Sequence, residues 1–141
     1  MGGDMKRWFA ILAVLAFPAL AWAEGDLAAR AERLPELEID GAKGFSVTSY
    51  EIETGKFYRW RIASDGRDEY RLLAPELMRN SWVEQVSIED KEVKPLGGLY
   101  AVEFDDEGEI DIYFVPIRPG TYEFYVEGMR ADGMLGTFVV K

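Results

Sequence analysis

The stretch Arg118, Pro119, Gly120, Thr121, Tyr122, Glu123, Phe124, Tyr125, Val126 decides the fold. A Pro-Gly turn opens it. Large apolar side chains at 122, 124 and 126 then alternate with Thr121, Glu123 and Tyr125, the period of two that gives a strand one core face and one outer face. A short loop from Gly128 to Gly133 follows, and then Met134, Leu135, Gly136, Thr137, Phe138, Val139 and Val140, whose aromatic and β-branched content predicts a closing strand.

The same alternation recurs upstream. Tyr58, Trp60 and Ile62 alternate with Arg59 and Arg61; Tyr100, Val102 and Phe104 with Ala101 and Glu103; Ile110, Ile112 and Phe114 with Asp111 and Tyr113. Turn residues separate these runs at Thr54-Gly55, Ser64-Asp65-Gly66, Gly97-Gly98, Glu107-Gly108 and Pro119-Gly120. Seven or eight short strands on this spacing predict an all-β antiparallel sandwich or barrel over residues 45–141. Before it, Leu27, Ala28, Ala31 and Leu34 stand at helical spacing until Pro35, which predicts a short helix or a loose arm over 24–44.

At the start of the chain, Lys6 and Arg7 precede an apolar run from Trp8 to Ala23 that ends on Ala21, Trp22 and Ala23. This predicts a secretory signal peptide over 1–23, cleaved after Ala23. A membrane anchor fits less well, because the run falls short of the ~20 residues a spanning helix needs and Pro18 interrupts it. The expected address is secreted or periplasmic, with no membrane association after cleavage.

The 141 residues carry 16 basic and 26 acidic side chains, a net charge of −10. Cleavage after Ala23 removes Lys6, Arg7 and Asp4 and leaves 14 basic against 25 acidic groups, a net −11. So acidic a chain is repelled by nucleic acid and by anionic membrane surfaces, and neither is an expected partner. Hydrophobic residues make up 48% of the chain, enough for a core, and with no Cys that core acts without disulfides.

The segment from Arg118 to Val126, the loop from Gly128 to Gly133, and Met134 to Val140 resemble the C-terminal signature of cupredoxins. In that family a Pro-Gly-x-Tyr-x-Phe-x-Cys strand delivers a thiolate, the next loop supplies a His and usually a Met, and a glycine with apolar residues opens the last strand. Upstream, Gly55 to Ile62, then Ser64, Asp65, Gly66 and Tyr70, is similar to the strand after which the family's first His appears. The resemblance covers residues 45–141 and implies a Greek-key β-sandwich of cupredoxin type.

What it implies for copper breaks down residue by residue. Blue copper needs a thiolate and two imidazoles with a weak axial ligand, and this chain has neither Cys nor His. Val126 stands in the thiolate's place, the first His falls near Asp68 or Glu69, the loop His falls near Met129, and Met134 alone matches. A type 1 centre is excluded by chemistry.

Thioethers are soft donors that suit Cu(I). Met129 and Met134, with Met78 from the Ala74–Trp82 connection, are therefore candidate ligands for Cu(I) or Ag(I), set against the commoner use of Met to fill gaps in a core. Glu103, Asp105, Glu107, Gly108, Ile110 and Asp111 echo a calcium loop, but the twelfth place is Phe114 and strands flank it, so a polar hairpin turn is expected. Without His or Cys no Ser-His or Cys-His nucleophile pair can be built, and no enzyme is expected. Arg59, Arg61, Arg67 and Arg71 read as solvated faces, and Tyr58, Trp60, Trp82, Tyr100, Tyr113 and Tyr125 as possible aromatic surface.

The reading expected from sequence is therefore an exported cupredoxin-like binding module without a blue-copper centre, acting on a protein partner in copper handling or respiratory assembly. The alternative is a Met-thioether Cu(I) or Ag(I) carrier.

Overall fold

The computed structural model describes residues 29–141. The expected signal segment over 1–23 lies outside the described residues. Twelve strands, several of them very short, form two sheets. In chain order they are β1 (Glu32–Arg33), β2 (Leu37–Asp40), β3 (Gly44–Phe45), β4 (Ser49–Ile52), β5 (Tyr58–Ser64), β6 (Tyr70–Leu73), β7 (Ser81–Ile88), β8 (Lys91–Val93), β9 (Ala101–Phe104), β10 (Gly108–Pro116), β11 (Gly120–Val126) and β12 (Leu135–Val140). One short helix, α1 (Pro75–Arg79), links β6 to β7, and a 3₁₀ turn at Arg130–Asp132 sits between β11 and β12.

The first sheet runs β3-β2-β5-β10-β7-β8, and β1 also pairs with β5. The second runs β4-β12-β11-β6-β9. The chain crosses repeatedly between them, so the two inner faces share one core. Pairing is antiparallel except where β1 and β2 lie parallel to β5 and β4 lies parallel to β12.

The residues between 24 and 44 differ from the expected helix or loose arm wherever they are described. Glu32 pairs with Tyr58 and Leu37 with Ile62, so this segment is bonded into the first sheet and brings Leu37 and Ile39 into the core. The cause is local and tertiary together. Pro35 has no N–H to continue a helix, while Leu37 and Ile39 alternate with exposed Glu38 in the strand sense.

The core is built by the alternation. Trp60 of β5 meets Phe138 of β12 edge-on at 5.0 Å between centroids and Phe124 of β11 at 5.4 Å, while Tyr50 of β4 stacks on Phe138 at 4.7 Å. These rings come from both sheets, and pairs of this kind add about 0.5–1.5 kcal/mol each beyond the burial of their area. Tyr58 and Trp60, counted among candidate surface aromatics, are buried here at 2% and 1% exposure.

One irregularity decides which aromatic faces water. Between β10 and β7 the register slips, so that Tyr113 opposes Gln85 but Phe114 opposes Val83. The extra residue, Glu84, is a β-bulge, which breaks the alternation of side-chain direction. Val83 and Val86 therefore both point inward and Trp82 points out, 51% exposed.

Candidate functional site

The end of the sandwich where β11 hands over to β12 is where the resemblance places a metal. Val126 ends β11 and is completely buried. Its N–H donates to the Met134 carbonyl (3.2 Å), its carbonyl accepts from the Met129 N–H (3.1 Å), and the Asp132 N–H donates to the Met129 carbonyl (3.1 Å). The loop is thus folded back on itself. It is also pinned to β3, where the Phe45 N–H donates to the Gly133 carbonyl (3.1 Å). Gly44, at φ +82°, makes the close approach possible, since a Cβ there would lie 2.7 Å from the Gly133 oxygen.

The inward-facing residue from the neighbouring strand is Tyr70, wholly buried at the start of β6, two residues before Leu72, which pairs with Val126. Its hydroxyl donates to Asp65 Oδ1 at 2.9 Å. Asp65 also accepts from the Arg67 N–H through Oδ1 (3.1 Å) and from the Gly41 N–H through Oδ2 (2.9 Å). Burial pushes the Tyr70 phenol up to about 12, and the bond to the Asp65 carboxylate acts in the same direction. Burial also pushes Asp65 upward, but its donors, Gly41 and Arg67 N–H and the Tyr70 hydroxyl, outweigh this and hold it below its ordinary value. The position next to the expected first His is therefore filled by a phenol locked to a carboxylate.

A cavity of about 350 Å³ opens at this end, lined in part by Asp68, Tyr70, Met129, Asp132 and Met134. It brings Met129 and Met134 together. Met134 is buried and Met129 half-buried beside the core. Val126 does not line this cavity. Met78 is placed elsewhere: it sits on α1, beyond the Leu73 end of β6, in the wall of a different cavity. Three steps along the strand separate Tyr70 from Leu73, about 10 Å at ~3.3 Å per residue.

Glu69 is not among the residues that line the cavity with the two thioethers. Its carboxylate lies with those of Glu103 and Asp105, all three exposed and with oxygens within 4.8 Å of one another. Glu103 is already engaged by Arg71, which donates to it at 3.0–3.1 Å. The calcium-like spacing does not assemble either, because Asp111 is turned to the outer face of the first sheet. There it accepts from Arg59 Nη2 at 2.7 Å and from Arg61 Nε and Nη2 at 2.9 and 3.0 Å.

That ionic cluster was not legible from sequence, where both arginines read as solvated faces and Asp111 as part of the calcium-like spacing. The antiparallel register places Asp111 opposite Arg61 and Tyr113 opposite Arg59, and Asp111 ends 7% exposed. Burial raises its carboxyl, and the bonds from Arg61 and Arg59 outweigh that and leave it below its ordinary value. Tyr113 and Tyr125 are half-buried on outer faces; Arg130 lies 3.7 Å above the Tyr125 ring and ion-pairs with Glu123.

A second concavity, of about 500 Å³, lies between α1 and the loop that contains Gly97 and Gly98. Met78, Trp82, Leu99 and Tyr100 supply its apolar wall, and Arg79 and Ser81 its polar side chains. Tyr100, which shares the apolar phase of Val102 and Phe104 and was also counted as possible aromatic surface, is 69% exposed, and β9 begins one residue later.

Two sheets in this order, with a closing β11–loop–β12 unit, make the chain a cupredoxin-fold β-sandwich that has no cysteine to serve as a type 1 ligand. The particular solved structures it resembles carry that statement. Auracyanin B is matched over 84% of this chain and 96% of its own, at 16% identity and TM-score 0.50. The multicopper oxidase of Campylobacter jejuni, a metallo-oxidase, is matched over 80% of this chain at 10% identity and TM-score 0.55, and the copper nitrite reductase of Nitrosomonas europaea over 68% at 10% identity and TM-score 0.53. The chain spans about a third of each of these two enzymes, 31% and 33%. No protein-family model matches the sequence, and no curated protein resembles it in sequence.

Proposed function

We propose that this chain is an exported, non-catalytic cupredoxin-fold module that works by binding a protein partner, in copper handling or respiratory assembly, without a blue-copper centre. The observation that carries this reading is the filling of the expected metal end with Val126 and the Tyr70–Asp65 pair in a chain without thiol or imidazole. The residues present do not fit a type 1 ion, and no redox step is assigned to them. The non-catalytic reading has its own support: Asp111 and Asp65, with side chains only 10% and 23% exposed, are both engaged by structural donors.

A second reading has one specific observation in its favour. Met129 and Met134 line the same cavity as Asp68, Asp132 and Tyr70, a donor set in which two thioethers could hold Cu(I) or Ag(I). Met78 does not belong to that set.

Titration of the full chain with Cu(I) against a competing chelator separates the two. The partner reading expects no tight one-to-one binding, and the same weak response from Met129→Leu/Met134→Leu as from the parent. Tight stoichiometric binding that this double variant loses, and Met78→Leu keeps, would establish the carrier instead.

A further inference from the structure

Residues 94–100 link β8 to β9 and cross from the first sheet to the second. Among the described residues, no backbone N–H or carbonyl from 95 to 99 takes part in a hydrogen bond. Other connections are tied down: Thr54 and Gly55 donate to the carbonyls of Lys141 and Pro116 (both 2.8 Å), Asp65 to that of Ile39 (3.2 Å), and Ile117 to that of Asn80 (2.9 Å). Leu96 is fully exposed, and a Cβ at Gly97 or Gly98 would meet nothing within 4 Å. Exposed, unbonded connections with small residues are where folded chains are cut.

The strand before this connection is easily given up. β8 lies at the edge of the first sheet with β7 as its neighbour there, and all three of its residues are exposed. Opening it breaks pairing on one side and uncovers no core, the low-cost local opening that lets a protease engage a native chain. The other end is anchored by Leu99, which packs against the core. The sequence between these points fits one kind of cleft. Pro95 fixes its own φ near −65° and biases Lys94 to extended backbone, so the residues before Leu96 are preset near the form in which a groove takes a peptide as an added strand. Leu96 offers an aliphatic side chain that the sandwich does not use. Gly97, at φ +113°, and Gly98 place no side chain beyond the Leu96–Gly97 bond, and glycine changes φ there at little steric cost.

We propose that the Leu96–Gly97 bond is a processing site for an endopeptidase that takes an extended segment with an aliphatic residue before the scissile bond, and that the cut chain remains one folded sandwich of two pieces. Hydrolysis adds one water across the amide and leaves the Leu96 carboxylate and the Gly97 ammonium, with no change of oxidation state. The pieces stay together because the second, from Gly97 to Lys141, supplies β10 between β5 and β7 and β11 beside β6. Its Phe114, Phe124 and Phe138 pack against Tyr58, Trp60 and Tyr50 of the first piece, at 6.1, 5.4 and 4.7 Å between centroids. Gly97, Gly98, Leu99 and Tyr100 also line the cavity beside α1, so the cut frees that wall at one end. The proposal stands independently of the partner reading above.

The test is limited digestion of the native full chain with subtilisin, an endopeptidase of that preference, with the new termini read by mass spectrometry. The first cut within residues 29–141 is expected at Leu96–Gly97. The two pieces should coelute in gel filtration with the parent's β circular dichroism and separate only in denaturant. Leu96→Asp alters a fully exposed side chain, so it should keep the parent's melting temperature. It should be cut at least about tenfold more slowly, because a carboxylate is costly in an apolar pocket. Chain purified from its own cells should carry a Gly97 terminus on part of the material. A first cut elsewhere, equal cutting of parent and Leu96→Asp at that bond, pieces that part without denaturant, or only uncut chain in cells each overturns the proposal.

Discussion

Replacing Asp111 by Asn removes the negative charge that two guanidinium groups share on the outer face of the first sheet. The Arg59–Asp111 pair is well shielded, with side chains 17% and 10% exposed, whereas Arg61 is 34% exposed and keeps Glu109 at 2.8 Å. Breaking a buried pair by removing one partner costs about 3–5 kcal/mol, and the exposed share of Arg61 lowers this toward the surface-pair scale. The expected loss is about 2–4 kcal/mol, which at roughly 4 °C per kcal/mol for a domain of this size lowers the melting temperature by roughly 8–16 °C. Urea unfolding should show a lower midpoint with an unchanged slope. The pH dependence has a definite sign. The carboxyl of Asp111 lies below its unfolded value, so its contribution is complete above ~3.9, the ordinary Asp value, and is lost as pH falls through the folded one. The gap between parent and Asp111→Asn should therefore be full at neutral pH and close in acid. In a double-mutant cycle with Arg59→Met the two losses should be non-additive by about 0.5–3 kcal/mol. A loss under about 0.5 kcal/mol at pH 7, the scale of an ordinary surface substitution, or a gap that widens in acid, would refute the reasoning.

Two further substitutions probe the metal end. Tyr70→Phe deletes one of the three donors to Asp65, a hydrogen bond to a charged group worth about 1.5–3 kcal/mol; urea unfolding should show that loss with the native circular dichroism retained, and an unchanged midpoint would remove the Tyr70–Asp65 lock from the account. Gly44→Ala must hold φ near +82° and place a Cβ 2.7 Å from the Gly133 oxygen, which together cost about 2–4 kcal/mol. Hydrogen exchange should quicken at Phe45, whose N–H holds the loop, and unchanged protection there would mean that Gly44 does not pin it.

The strands whose side chains are apolar on one face were legible in advance. Tyr58, Trp60, Ile62, Ile112, Phe114, Phe124, Val126 and Phe138 all occupy the core that their alternation predicts, because a period of two is a local property of the chain. Three features were not legible, each because it depends on a distant partner. The segment from Glu32 to Asp40 forms β1 and β2 through parallel pairing with β5, and the alternation of Leu37, Glu38 and Ile39 is too short to have announced that pairing by itself. Asp111 is buried by the arginines opposite it, and a bulge one residue long turns Trp82 outward. At the candidate site, the sequence placed Val126 and Met134 at one end and Met129 beside them, but Met78 was grouped with them through a connection whose direction only the fold reveals. Tyr70 was a landmark of the resemblance rather than a site residue; its signal was present in the apolar phase it shares with Leu72 along β6.

The central claim is that this sandwich keeps the cupredoxin framework while its side chains have closed the blue-copper chemistry, and Val126→Cys tests it most directly. The variant restores a thiolate at the end of β11 and nothing else. With no imidazole in the chain and Tyr70 bound to Asp65 beside it, the trigonal donor set cannot form. Titrated with Cu(II), Val126→Cys should stay free of an intense visible charge-transfer band, and its thiol should behave as a buried, unreactive one. An intense blue absorption at one equivalent of copper would contradict the account.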